Sequence, residues 1–504
     1  MAVSVWILGD QLLLNHPALA QAEEGVDRNQ IIVLITESQT RARRLPYQRK
    51  KLVLLFSAMR HYAEKLHSSG YQVDYRLATT TTSAIREHLR KHQPEAIITM
   101  EASAYGGRKY QKNLANLFDI PIIILSNTQF LTGRYNPVPD PEPSKRYVQE
   151  QFYRKMRQHF ELMMEPNGKP IGGKWNFDKS NRRSLPKNTQ PILPISFEPD
   201  QITLSVMREV DQEYQGIGQV FGFDLAVTHE EAHLAASDFF EHRLSNFGTY
   251  EDAMSSAHDT IFHSRLSPYL NLGLLDPLAL AQEAQKRYLD GQAPINSVEG
   301  FIRQVVGWRE FIYWQYWRLM PEIARSDYWQ ADRPLPEMFW TGETRMNCMS
   351  HVINRAVQSG YTHHIERLMI ISNFCLLAGI EPSAVNDWFL SAYIDAYEWV
   401  MIPNVFGMGL YADGGLIATK PYIASANYIN KMSDYCRNCV FDHKLRTGAH
   451  ACPFNYLYWN FVLEHEETLR SNTRMSRSLL GLKRFDLEQK QLIRKNAEEF
   501  LEHL

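Results

Sequence analysis

The chain is poor in cysteine, in net charge and in long apolar runs, and each shortage excludes something. Five cysteines in 504 residues, an odd number in a long chain without a secretory signal, do not make a disulfide framework. A formal charge of −2 argues against a uniformly basic coat for nucleic acid and leaves room for a local basic face. No apolar stretch approaches the roughly 20 residues of a membrane helix. The opening Met1–Trp6 segment lacks a charged leader and a cleavage site, so the expectation is a cytoplasmic protein with no membrane partner. No internal repeat or low-complexity tract is visible. The glycine-rich dinucleotide fingerprint is missing behind the first strand-like run, which makes an ordinary NAD site improbable.

What is present is an ordinary globular composition, 44% hydrophobic and 22% charged, in a chain long enough for two or three domains. Val3–Leu8, Ile31–Ile35, Tyr71–Arg76, Ala96–Met100 and Ile122–Leu125 read as buried parallel strands. Leu52–Leu66 between two of them has helical periodicity, with Gly70 as its stop. This alternation predicts a doubly wound α/β domain over residues 1–133. Ligands bind such sheets at the carboxyl ends of the strands. Gly9 and Asp10 follow the first strand and Glu37 the second, so all three are ligand-edge candidates. Prolines 137, 139, 141 and 143 stiffen the next segment. Residues 134–224 read as a linker with a long polar, basic loop, in which Lys174, Arg182 and Arg183 suit phosphates. From 225 to 504 the pattern is helical, rich in aromatic residues, and free of β-alternation.

Four of the cysteines, Cys348, Cys436, Cys439 and Cys452, form a set able to hold one soft metal centre. Spacing alone leaves an iron–sulfur cluster, zinc and no metal all open. Cys375, in an apolar run, reads as a small buried hydrophobe.

Four strings then occur in order. They are His263-Ser-Arg-Leu-Ser-Pro-Tyr-Leu-Asn-Leu-Gly273, Phe301–Phe311, His363-His-Ile-Glu-Arg-Leu-Met-Ile-Ile-Ser-Asn373 and Asp387–Trp399. The first, with hydroxyls, an arginine and a turn proline at a helix start, makes a fair anion cradle. Together they resemble the flavin-binding blocks of photolyases and cryptochromes. The cysteine set, with Asn427–Tyr435 before it and Leu457-Tyr-Trp459 after it, is similar to the iron–sulfur bacterial branch, also called prokaryotic (6-4) photolyases. The resemblance spans essentially the whole chain.

The resemblance implies an α/β antenna domain followed by an all-α FAD-binding catalytic domain with a [4Fe-4S] cluster on the four cysteines. It implies light-driven repair of (6-4) photoproducts in UV-damaged DNA by a monomer, with 6,7-dimethyl-8-ribityllumazine as antenna. On its blocks, Ser264, Arg265, Leu266, Ser267, Arg309 and Asp395 hold FAD; Gly9, Asp10 and Glu37 are the antenna candidates from their place at the strand edge. His364 is the catalytic acid, with His363 beside it and Tyr422 facing the lesion. Trp388 and Trp340 relay electrons, and Asp178 and Asp252 hold Mg²⁺. The chain departs from the pattern twice. Phe389 replaces a redox-active tyrosine, leaving Trp399 or Tyr397 as substitutes, and Met401 replaces an asparagine near the flavin. Two other classes compete: a cryptochrome-type blue-light receptor without repair, and a non-photochemical nucleic-acid binder like the four-cysteine domain of primase large subunits.

Overall fold

The computed structural model describes residues 2–504. Its N-terminal region is built on a five-stranded sheet, β1 Val3–Ile7, β2 Ile31–Ser38, β3 Gln72–Ala78, β4 Ile97–Met100 and β5 Ile122–Leu125. All neighbours are parallel and the order is β3-β2-β1-β4-β5. The direction of strand progression reverses between β1 and β4, so the crevice beyond their carboxyl ends is the ligand position this topology creates. All five expected strands are present. The outer two are less buried than expected: Ile123 on edge strand β5 is 44% exposed, because an edge strand lacks a neighbour to cover it. The helix Arg49–Ser68 ends as expected. Ser69 caps it, and Gly70 follows at φ 94°, a left-handed conformation that favours glycine.

Beside the sheet, Asp74 on β3 accepts from Arg76 Nε and pairs with His88 Nδ1, both at 2.7 Å, and His88 Nε2 reaches Ser4 Oγ at 2.7 Å. This network ties the helix Thr81–His92 to the sheet, and Arg76 neutralises the carboxylate.

Residues 144–200 are more ordered than a polar loop. Gln149–His159 is a helix that packs on Arg303–Trp308. Its apolar face is only Phe152, Tyr153 and Met156, too narrow to stand out among its charges. The polar chain beyond it folds round buried Arg157, which donates to the carbonyls of Leu162 (3.0 Å), Met163 (2.6 Å) and Trp175 (3.0 Å). A second helix, Gln201–Glu213, packs along Arg49–Ser68.

The remainder is helical. Three stretches, Arg303–Trp308, Arg367–Ser372 and Pro403–Gly409, take the wider π-helical winding, which recurs where helices are adapted to function. No helix among the described residues is long and apolar enough to cross a membrane. One hydrophobic core runs from the sheet into the helices. Polar contacts reinforce that junction: buried Lys51 donates to the carbonyls of Leu390 (2.9 Å) and Ala396 (2.5 Å), and the Gln48 amide donates to Ser391 (2.7 Å). Burial pulls the Lys51 pKa down to about 7. Lys51→Ala strands two buried carbonyls, at a cost of about 2–4 kcal/mol. The expected outcome is a thermal midpoint several degrees lower in a melt followed by circular dichroism.

Candidate active site

The site is assembled around Asp395. Arg367 donates to both of its carboxylate oxygens, Nη1 at 2.8 Å and Nη2 at 3.2 Å, and Ser267 Oγ donates at 2.7 Å. Burial alone would push the Asp395 pKa up, but these partners outweigh it and hold the group ionised below the usual carboxylate range. Asn271 Nδ2 donates to the Asp395 carbonyl at 2.8 Å. The segment before Ser267 is tightly shaped: Arg265 sits at φ 56° and Leu266 is buried. The helix Ser267–Leu272 has only six residues, too short to supply the anion site expected of a helix start. That role falls instead to side chains. Ser264 and Arg265 line a recess with Arg243 and Asp238. Arg243 is 1% exposed and donates Nη2 to Asp238 at 2.6 Å, while its Nε and Nη1 have no partner. Buried guanidinium donors left open fit a phosphate-bearing cofactor such as FAD. Arg243 lies outside every string singled out in the sequence.

Arg309 lies elsewhere. It pairs with Glu310 at 2.6 Å and stacks over Phe130, 4.3 Å from the ring centroid, with Trp399 at 5.3 Å. It sits at the junction between sheet and helices, and its buried Nε and Nη2 have no partner.

His363 is buried and lies face to face with His263, ring centroids 4.4 Å apart and planes 10° from parallel. His363 Nδ1 and Nε2 and His263 Nε2 have no hydrogen-bond partner. His364 opens the next helical turn. Its surface is solvent-accessible while protein surrounds it closely, the position of a group in the wall of a recess. That desolvation, with the charge of Arg367, pulls its pKa down to about 4. Burial likewise lowers His263 to about 4 and His363 further.

Three acids meet nearby. Asp178 forms an ion pair with Arg182, and Asp252 accepts from Tyr428 Oη at 3.4 Å. Between them Glu251, missed in the sequence, accepts from Gln304 Nε2 at 2.5 Å and Asn181 Nδ2 at 3.3 Å. Burial, then the charges of Asp252 and Asp178, raise Glu251 to about 8. Among the described residues the three carboxylates do not close to within 4.8 Å as a trio. Half-buried Tyr422 feels the charges of Arg474, Arg182 and Asp178. Lys174, Arg182 and Arg183 are exposed.

Trp388 is fully buried and its Nε1 donates to the Phe339 carbonyl at 2.8 Å, one residue before Trp340, which is 42% exposed. One tryptophan is inside and the other outside, joined through a single peptide unit. Phe389 and Tyr393 pack against Trp388 at 5.4 and 5.7 Å. Of the two substitutes considered for the missing tyrosine, neither is placed at Trp388: Trp399 packs on Phe130 and Tyr313, and Tyr397 faces Lys51. Met401 is buried on the helix Glu398–Ile402.

At the sheet edge, Gly9 lies so close to the helix Arg49–Ser68 that a Cβ would stand 2.6 Å from Met59 Sδ. Asp10 accepts from Ser103 Oγ across the β1/β4 crevice, and burial raises its pKa. Glu37 is different. Strand β2 runs past it to Ser38, and its carboxylate is occupied by Arg60 (2.9 and 3.2 Å) and Tyr75 Oη.

Cys348, Cys436, Cys439 and Cys452 line one recess with Met346, Tyr435 and Phe454. Burial raises Cys436 to about 11 and Cys452 to about 12, so metal binding displaces protons. No three of the four sulfurs come within 4.8 Å of one another among the described residues.

The comparisons agree with this architecture. A family profile described as "Deoxyribodipyrimidine photo-lyase-related protein" matches residues 5–225. The "(6-4) photolyase" of Agrobacterium fabrum is 42% identical over 513 aligned positions, covering 100% of both chains. Among solved structures, a bacterial class III photolyase from Agrobacterium tumefaciens superposes with TM-score 0.58 at 16% identity, over 100% of this chain and 98% of that one. A Synechocystis sp. PCC6803 cryptochrome superposes with TM-score 0.57 at 17% identity, over 81% and 82%.

The recess shared by four thiols makes a prediction. Elemental analysis of anaerobically purified protein should give about four iron atoms per chain with matching sulfide; one zinc and no iron would contradict it.

Proposed function

The chain belongs to the photolyase family, and on that premise we propose that it repairs (6-4) photoproducts in DNA under blue light, with His364 as the proton donor. The observation that carries this reading is a run of neighbouring groups: Arg367 and Asp395 act on His364, His363 stacks on His263, Glu251 beside His263 feels Asp252 and Asp178, and Asp178 acts on Tyr422. FAD, the cofactor of this family, supplies the photoexcited electron donor when bound. The chain's own residues do the rest. Arg243, Arg265 and Ser264 would take its phosphates, and Asp395 with Arg367 would orient it. Lys174 and Arg183 would hold the DNA backbone. A damaged base leaves the stack at reduced cost, and Tyr422 would pack against it. His364 then delivers a proton to the lesion and recovers it when the two pyrimidines are restored. Trp388 and Trp340 would conduct reducing equivalents inward from the surface.

The same proposal assigns Mg²⁺ to Asp178 and Asp252, with Glu251 beside them, where it would meet the lesion's phosphate. A [4Fe-4S] cluster on the four cysteines would act as a structural staple, joining the helix Asn347–Ser359 to the 436–452 loop. The lumazine antenna belongs at Gly9 and Asp10, in the β1/β4 crevice, and Glu37 would support it only from behind its ion pair with Arg60. The protein would act as a cytoplasmic monomer, with residues 1–133 for the antenna, 134–224 as connector and DNA-facing loop, and 225–504 for catalysis.

The test is repair of a duplex carrying one (6-4) photoproduct, in blue light and in darkness. Light-dependent repair is expected, falling at least about a hundredfold in His364→Ala with FAD retained. No repair by the wild type, with normal lesion binding, would move the chain to the receptor class. The pH profile carries a sign. Burial favours neutral His364 in the free protein, and the DNA phosphates favour its cation. The descending limb of kcat should therefore lie at higher pH than that of kcat/KM, and His364→Ala should abolish both.

A further inference from the structure

His363 presents an unresolved hydrogen-bonding account. It is 1% exposed, and neither ring nitrogen has a partner. Three residues on, Glu366 is 0% exposed and has one carboxylate oxygen, Oε2, equally without a partner. The two side chains face each other, with 3.8 Å between His363 Nε2 and Glu366 Oε1. Buried polar groups are rarely left unmade; the open His363 nitrogens and the open Oε2 belong to two side chains whose approach is this 3.8 Å, on the carboxylate oxygen that Arg355 and Tyr435 already occupy. A hydrogen bond requires His363 Nε2 to move onto a free lone pair of this carboxylate, which has one oxygen without any partner.

Glu366 is held from behind. Its Oε1 accepts from Arg355 Nη1 at 2.7 Å and from Tyr435 Oη at 2.5 Å. Arg355 is itself fixed, with Nη2 donating to the carbonyls of Ser255 (2.5 Å) and Ser256 (3.0 Å) and Nε paired with Asp259 at 2.7 Å. Tyr435 starts the turn that carries Cys436. The Asn347 side chain, one residue before Cys348, donates to the Tyr435 carbonyl at 2.8 Å. On the far side of the imidazole stands His263, stacked at 4.4 Å. His363 is thus gripped between a ring and a carboxylate, and the carboxylate is anchored to the segment that bears the cysteines.

We propose that Glu366 is the positioning residue for His363: it accepts a hydrogen bond from Nε2, fixes the tautomer with Nδ1 free, and holds the ring on His263. In doing so it transmits the placement of the cysteine segment to the histidine pair. A carboxylate or carbonyl on one ring nitrogen sets the proton position on the other. The inference rests on the reading that these histidines serve the lesion. The groups facing Glu366 are Arg355, Tyr435 and Asp259 from neighbouring segments, and His363 and Arg367 from its own, with His263 and His364 beyond. Burial, working against Arg355 and Tyr435, raises Glu366 to about 7.

The test compares Glu366→Gln, Glu366→Leu and Tyr435→Phe in protein loaded with FAD and its metal centre, on the (6-4) duplex. Glu366→Leu should lose at least about tenfold in kcat with KM changed less than about twofold, and FAD and iron content unchanged. Glu366→Gln, which keeps an acceptor, should stay within about threefold of wild type at its best pH while losing an ionisation near neutrality. Tyr435→Phe should fall between them. A crystal structure of Glu366→Leu reads the geometry without any assay, and His363 should leave its stack on His263. A Leu variant with wild-type kcat, an unmoved His363 ring, or a Gln variant whose pH profile superposes on wild type would overturn the inference. A Leu variant that loses FAD or iron together with activity would also do so, by reducing Glu366 to scaffold. If Leu does not fold, the Gln profile and Tyr435→Phe decide. A wild type that fails to repair refutes the functional reading instead, and the crystal structure still decides this one.

Discussion

The buried pair of Asp395 and Arg367 is the constraint from which the rest of the site hangs. Through Ser267 Oγ the carboxylate fixes the segment that carries Ser264 and Arg265. Through Arg367 it fixes the turn that begins with His363 and His364. The same guanidinium covers the Tyr393 ring at 4.0 Å, and Tyr393 packs on Trp388. One residue on, the Ala396 carbonyl is held by Lys51 from the sheet domain. The Ser264–Ser267 segment, the His363–His364 turn, a tryptophan and the other domain thus share one ion pair. Such a pair is costly to bury and costlier to break on one side, which is why it can impose a single arrangement on four segments.

A second regularity is electrostatic. Burial shifts several titratable groups here toward their neutral forms. His263 and His364 are pulled down to about 4, Glu251 is pushed up to about 8 and Glu366 to about 7. The site's histidines at rest are neutral and short of hydrogen-bond partners, beside the ionised Asp395–Arg367 pair. The site is complementary to something that brings charge with it: phosphates, a cation and a reacting base. The arrival of those charges would switch the protonation of the residues that meet them.

The fold was legible where one physical signal dominates. The inner strands are continuous apolar runs because both faces are covered, and Gly70 marks a helix end because the backbone there turns left-handed. The connector was not legible. Its helix Gln149–His159 has three apolar residues and is stabilised by a buried arginine, a tertiary effect that no local pattern encodes. In the site, residues within recognisable strings could be named in advance, and the structure brings Ser267, Asp395, His363 and His364 together. Arg243 and Glu251 could not be named, since each acts alone from outside the strings. Glu37 and Arg309, also named, are each engaged by an opposite charge that the fold sets beside them, Arg60 and Glu310.

The central claim is that one ion pair holds both the Ser264–Ser267 segment and the histidine turn. The most direct measurement is bound FAD per chain and light-dependent repair, taken on the same preparation of Asp395→Asn. The account predicts that both fall together, each by about tenfold or more, because removing the charge strands Arg367 in the interior. Full FAD occupancy with intact repair would contradict it.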